Sequence, residues 1–202
     1  MNTETAPNKA RFAKPAYLPL LLACLFMVIG TVVLVVMGRE ESRLRGMVLG
    51  ELDLKPLLYA SKPIEPVDID KKIVVLHFWG FWCVPCQKEY PDIARLQKEY
   101  LTSPDVAFLS IATSDNSSDT EDQLAFRTKK FLDQEKIDDM PIYWDPAEFT
   151  RIQVSRMFKS GGFVNPTTMV LDRGGKIFDV WRGTVDASTL KSSIEKARKQ
   201  KL

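Results

Sequence analysis

The first long apolar run dominates the hydrophobic pattern. "YLPLLLACLFMVIGTVVLVVMG", residues 17–38, contains no charged residue. A helix of that length rises about 1.5 Å per residue, enough to cross a hydrocarbon layer of roughly 30 Å. The run predicts one N-terminal transmembrane anchor helix over 17–38. Before it lies a segment, 1–16, with Lys9, Arg11 and Lys14; after it comes a charged stalk, 39–47, with Arg39, Arg43 and Arg45. A cleaved signal peptide would have a shorter apolar region and a small-residue cleavage site. "VVMGREE" offers no such site. "LLAC", 21–24, has the form of a lipoprotein processing site, but Cys24 is followed by more apolar residues where a polar tether would be needed. Within an anchor, Cys24 is a small apolar side chain. Basic residues are balanced across the run, so charge counting alone does not orient it.

From residue 48 the pattern breaks into short periods. "VLGELDL", 48–54, predicts a short strand, and the proline-containing stretch 55–72 an irregular connection. "IVVLHFW", 73–79, is almost continuously apolar and β-branched, the pattern of a strand buried on both faces. In "CQKEYPDIARLQKEYL", 86–101, Tyr90, Ile93, Leu96 and Tyr100 recur at helical spacing, with a kink expected at Pro91. "DVAFLSIAT", 105–113, predicts a second buried strand. The polar loop 114–122 contains the sequon Asn116-Ser-Ser, which matters only in a eukaryotic secretory route. A helix with Leu124, Phe131 and Leu132 on one face follows, then a short strand at 140–144. Asp145-Pro146 opens a helix over 145–158. Two strands, 167–172 and 176–183, are joined by the turn signal "RGG". Asp186 caps a last helix, 186–199, whose apolar face is Leu190, Ile194 and Ala197. Strands alternating with helices, then a hairpin and a final helix, predict an α/β domain over 48–202: a mixed central sheet with helices on both faces.

A net charge of +2 gives no reason to expect nucleic acid as a partner. Three cysteines and one histidine are too few for a closed zinc site, so no metal is expected. The chemistry concentrates in "FWGFWCVPCQKEYP", 78–91. Cys83 follows a buried strand and opens a helix, where unpaired N–H groups and the helix dipole favour a thiolate. Cys86 lies three residues on, close to the same helix face, so one thiol can attack a disulfide and the other resolve the mixed disulfide. Pro85 is tolerated because first-turn N–H groups have no helical partner. Trp79 reads as core and Trp82 as surface beside Cys83; Trp144 and Trp181 read as core.

Together, "FWGFWCVPCQKEYP" and "NPTTMVLDRGGKI" resemble the thioredoxin superfamily. The chain is similar in particular to the membrane-anchored, extracytoplasmic TlpA/ResA-like disulfide reductases, over roughly 48–200. The resemblance implies a thioredoxin-like fold and a single-pass inner-membrane protein, with its N-terminus in the cytoplasm and its catalytic domain in the periplasm or at the outer cell surface. It makes Cys83 the exposed nucleophile and Cys86 the resolving cysteine. Pro166 matches the family's cis-proline opposite the cysteines, and Asn165 before it would offer its backbone to a substrate strand, where relatives often carry an apolar residue. Glu89 matches an acidic residue near the active site. It is either the proton acceptor for Cys86 or a surface glutamate favoured by the helix N-terminus; as a neighbouring charge it would raise the cysteine pKa values. His77 stands where thioredoxins hold a buried acid. It can accept a proton near neutral pH, but a hydrogen-bonded core histidine is the preferred reading. Val84 between the cysteines is a further departure.

The expected function is that of a thiol–disulfide oxidoreductase reducing client-protein disulfides, with apocytochrome c and oxidase-assembly factors among the family's substrates. Outside the cytosol dithiols tend to be oxidised, so a reductant needs a membrane thiol or electron donor. No flavin or nicotinamide motif is present, and no cofactor beyond the cysteine pair is expected. A disulfide oxidant or isomerase of the same fold is the alternative. A copper chaperone would need wider cysteine spacing and a distal histidine, and a peroxiredoxin a cysteine preceded by proline and threonine; neither pattern occurs.

Overall fold

A computed structural model describes residues 18–115, 119–159 and 162–200. The chain divides after residue 39 into two units. Helix α1 (Leu18–Leu44) runs through the expected anchor stretch and past it. Its side chains are described over 21–32, where all are exposed, and again from Ser42. Among the described residues no helix is long and apolar enough to cross a membrane, so the anchor expected over 17–38 finds no support in the fold. Lys9, Arg11, Lys14 and the sequon at Asn116 lie outside the described residues.

The second unit, 40–202, is the α/β domain. Its elements are β1 (Lys55–Leu58), α2 (Pro66–Ile69), β2 (Ile73–Trp79), α3 (Val84–Tyr100), β3 (Val106–Ala112), α4 (Glu121–Glu135), β4 (Ile142–Trp144), α5 (Phe149–Met157), β5 (Thr167–Leu171), β6 (Ile177–Arg182) and α6 (Ala187–Lys199). They build one sheet in the order β1-β4-β3-β2-β5-β6. Strands β2, β3 and β4 are parallel, while β1, β5 and β6 pair antiparallel to their neighbours.

All seven residues of β2 are buried, because the strand is central and covered on both faces. Val74, Leu76 and Phe78 share one core with Val154, Phe158 and the neighbouring strand's Met169. Val75 faces Ile93 of α3 and Ile194 of α6, and Trp79 joins Tyr90, Leu124 and Phe131. The helical faces read from the sequence are the buried ones: Tyr90, Ile93, Leu96 and Tyr100 on α3, and Leu190, Ile194 and Ala197 on α6. α3 runs unbroken with Pro91 inside it. The backbone bond that proline forfeits is offset by the apolar face packed on either side of it.

Four expectations need correction. The strand expected at 48–54 is reduced to a bridge between Val48 and Lys176. Instead β1 forms inside the stretch read as irregular, because β4 presents an open edge to pair with; Pro56 is tolerated on an edge strand. Residues 44–47 are not a free stalk. Leu44 is fully buried, Gly46 N–H donates to Ile177 O at 2.7 Å and Ile177 N–H to Met47 O at 2.8 Å, and Arg45 pairs with Asp179 at 2.6 Å. The helix expected from 145 starts at Phe149, with Asp145 Oδ2 accepting from Arg151 N–H at 2.7 Å across the turn. Trp144 and Trp181 are half-buried at the margins of the core rather than inside it.

Candidate active site

The site forms where β2, β3 and β5 end or begin side by side. Cys83 is the N-cap of α3. The chain turns into it through Cys83 N–H donating to Gly80 O at 3.0 Å. Cys86 N–H donates to Cys83 Sγ at 3.3 Å, so a first-turn donor with no helical partner is aimed at the sulfur, as a thiolate requires. Cys83 and Cys86 are joined as a disulfide. Cys86 is 0 % exposed and Cys83 5 %, so both are buried and Cys83 is the less enclosed of the two.

The Asn165–Pro166 peptide bond is cis. Asn165 O lies 3.5 Å from Cys83 Sγ. Thr113, at the end of β3, ties the site together. Asn165 Nδ2 donates to Thr113 Oγ1 at 2.8 Å, Thr113 Oγ1 donates to Trp79 O at 2.9 Å, and Trp82 Nε1 donates to Thr113 O at 3.0 Å. One threonine thus couples the ends of three strands and the exposed tryptophan. Trp82 is 38 % exposed and walls a groove of about 710 Å³ with Asp115, Arg151, Ile152, Val164 and Asn165.

Trp82 rests against Gly80, where an added Cβ would meet its indole nitrogen at 2.5 Å. Gly80→Ala therefore displaces the ring and breaks its bond to Thr113. The expected result is a shifted tryptophan emission spectrum and a several-fold higher KM for protein disulfides, of the order one lost hydrogen bond allows, about 1 kcal/mol. Unchanged emission and KM would show that Trp82 does not line the client path.

Beneath the cysteines lies a buried polar cluster. Glu89 is on α3, one turn past Cys86, with its side chain only 5 % exposed; the surface reading of this residue is wrong. Its Oε2 accepts from Val185 N–H at 3.1 Å. Burial pushes the carboxyl up to about 7, opposed in part by the Val185 bond. That is the range of a group that exchanges a proton at physiological pH. His77 on β2 is fully buried, with Nδ1 2.9 Å from Thr168 Oγ1 and 3.7 Å from Glu89 Oε1. Burial lowers its pKa to about 3, so the imidazole is neutral and the 3.7 Å approach is not an ion pair. Of the two buried groups, Glu89 rather than His77 is the one that changes protonation near neutral pH. Trp79, Tyr90 and Ser110 close the cluster: Tyr90 stacks on Trp79 at 3.7 Å, and both Tyr90 Oη and Trp79 Nε1 bond Ser110 Oγ at 2.9 Å.

Sequence reading missed Thr113, Thr168 and Val185. Each acts through a contact made across strands or with a distant loop, and no local pattern signals that. Among the described residues no cluster of metal-ligating side chains occurs.

Comparison with known proteins gives this site its context. The sequence profile of the AhpC/TSA family matches residues 53–180. The chain is 27% identical over 157 residues to the thioredoxin-like protein YneN of Bacillus subtilis, covering 78% of this chain and 82% of that one. It is 26% identical over 137 residues to the thiol-disulfide oxidoreductase ResA of Bacillus thuringiensis, covering 67% and 69%. A secreted thiol-disulfide isomerase from Corynebacterium glutamicum superposes with a TM-score of 0.59 at 22% identity, covering 75% of this chain and 86% of that one.

Proposed function

From the premise that this chain belongs to the AhpC/TSA family, with its thioredoxin-like fold, and is a thiol–disulfide oxidoreductase working through Cys83 and Cys86 without a cofactor, we propose that it is a membrane-tethered reductant of disulfides in extracytoplasmic client proteins. The observation that carries the exchange chemistry is the helix-capping cysteine pair, with a buried carboxyl one turn away that titrates near neutrality. The uncharged run 17–38 supports the tether; the cytoplasmic N-terminus and the extracytoplasmic domain follow from the resemblance alone. Clients of the ResA type, such as the cysteines of apocytochrome c or oxidase-assembly factors, follow from the resemblance.

The steps balance as follows. The Cys83 thiolate attacks one sulfur of the client disulfide; that S–S bond breaks and the first client thiolate leaves. Cys86 passes its proton to the ionised Glu89 carboxylate and attacks Cys83 Sγ. The mixed disulfide breaks, the second client thiolate leaves, and the Cys83–Cys86 disulfide forms. The client has gained two electrons and the pair has lost two. A membrane thiol donor restores the dithiol.

The direction of transfer is tested by the reduction potential of the full chain in detergent, equilibrated against a defined thiol buffer. A value near that of thioredoxin, about −270 mV, is expected. A value near that of a strong protein oxidant, about −120 mV, would make the protein a disulfide donor or isomerase instead.

A further inference from the structure

The exchange steps leave one buried titratable group without a task. His77 sits under α3, enclosed on every side, where two oxygens compete for its Nδ1: Thr168 Oγ1 at 2.9 Å and Glu89 Oε1 at 3.7 Å. Val185 N–H holds the other Glu89 oxygen at 3.1 Å. Among the described residues Glu89 Oε1 has no hydrogen-bond partner, and neither has His77 Nε2. A buried carboxyl satisfied by one N–H is tolerable while it is neutral. Ionised, it needs a second donor, since a buried charge with unfilled lone pairs is expensive. Glu89 must be ionised before it can receive the proton of Cys86.

We propose that His77 is a positioning residue whose Nδ1–H rests on Thr168 Oγ1 while Glu89 is protonated and turns to Glu89 Oε1 when the carboxylate forms. Closing 3.7 Å to hydrogen-bond length needs a movement of less than about 1 Å. Thr168 suits both states because a hydroxyl can donate or accept. The imidazole stays neutral throughout, so no second charge is created in the interior. It acts on Cys86 only through Glu89, and this requires of the proposed exchange only that Glu89 cycles between its two forms.

The groups facing the imidazole come from three elements. α3 contributes Glu89 and Tyr90, β5 contributes Thr168, and β3 contributes Ser110, which lies beside His77 in the sheet. Burial pushes the Tyr90 hydroxyl above its usual range, and the hydroxyl is engaged with Ser110, so it keeps its proton. Cys86 lies one turn before Glu89 on the same helix. Glu89 is therefore the neighbour whose charge changes near neutrality while the cysteines are joined.

The test is a side-chain carbon NMR titration of Glu89 in the full chain, in detergent, with the disulfide intact. Its signal is identified by its loss in Glu89→Gln. Replacing His77 with Leu removes the donor and should raise the Glu89 midpoint by about one pH unit, the scale of one hydrogen bond to a charged group. His77→Asn keeps an amide N–H and should return the midpoint to within about half a unit of wild type. Thr168→Val leaves Nδ1–H no competing acceptor and should lower the midpoint. An equal rise in the Leu and Asn variants, or a Thr168→Val midpoint that does not fall, overturns the proposal. Should His77→Leu not fold, the Asn and Val variants decide alone. The titration uses the oxidised chain without client, so it is independent of the direction of electron flow. A failed reductant reading would appear in the potential and leave these midpoints where they are.

Discussion

A Cys86→Ala chain is expected to accumulate covalent adducts with its clients, whereas Cys83→Ala forms none. Both lose turnover entirely. Cys83 is the helix N-cap with a backbone N–H aimed at its sulfur, and it lies 3.5 Å from Asn165 O. Cys86 is completely enclosed and can reach only Cys83. Without Cys86 the first displacement still occurs, but nothing resolves it. The mixed disulfide then persists on the timescale of uncatalysed exchange, minutes to hours. Non-reducing gels after acid quenching would show adducts in one variant and not in the other. The reverse pattern would exchange the roles of the two cysteines.

Glu89→Gln carries the second large effect, and it is visible in stability as well as activity. Burial raises the Glu89 carboxyl from the ordinary 4.5 to about 7 in the folded chain. Below pH 4.5 the group is protonated in both states and costs nothing electrostatically. Between 4.5 and 7 the folded state binds the proton more tightly than the unfolded state, so stability falls as pH rises. Above 7 the whole penalty is present, roughly 3 kcal/mol for a shift of this size. A glutamine at 89 does not titrate. The variant should lose this part of the stability decline between pH 5 and 8, as denaturant melts at the two pH values would show. The same substitution removes the proposed acceptor for the Cys86 proton, so the neutral-range inflection of the resolving rate should vanish and the rate fall by about 10²–10⁴-fold. If melts and rates both keep the wild-type pH dependence, Glu89 is neither the acceptor nor the source of the stability change.

The cysteine pair was legible because its signals are local, whereas the cis-proline followed from the resemblance of "NPTT". Cys-x-Pro-Cys after a continuous apolar run reads as strand, turn and helix N-terminus, and each part occurs where it was expected, from β2 at 73–79 to the cap at Cys83. The helical faces of α3 and α6 were equally readable, because burial follows a 3.6-residue period along one segment. Elements that depend on a partner were not readable. β1 forms at Lys55–Leu58 because β4 leaves an edge open, and residues 44–47 join the domain because Ile177 exchanges backbone bonds with them. Neither partner is near in sequence.

What the sequence determines by itself is the reactive pair, the order of the elements from β2 onward and the class of chemistry. These follow from residue type and short-range spacing, which the chain carries wherever it folds. Only the tertiary structure decides how that chemistry is tuned. Glu89 and His77 stand twelve residues apart on different elements, and "HFWGFWCVPCQKE" does not say that one reaches a donor at Val185 while the other faces Thr168. The charge state of a carboxylate depends on how much water the whole fold removes from it and which distant donors replace that water. Those are properties of packing, and they exist only once the sheet, α3 and the 183–186 turn have closed around the site.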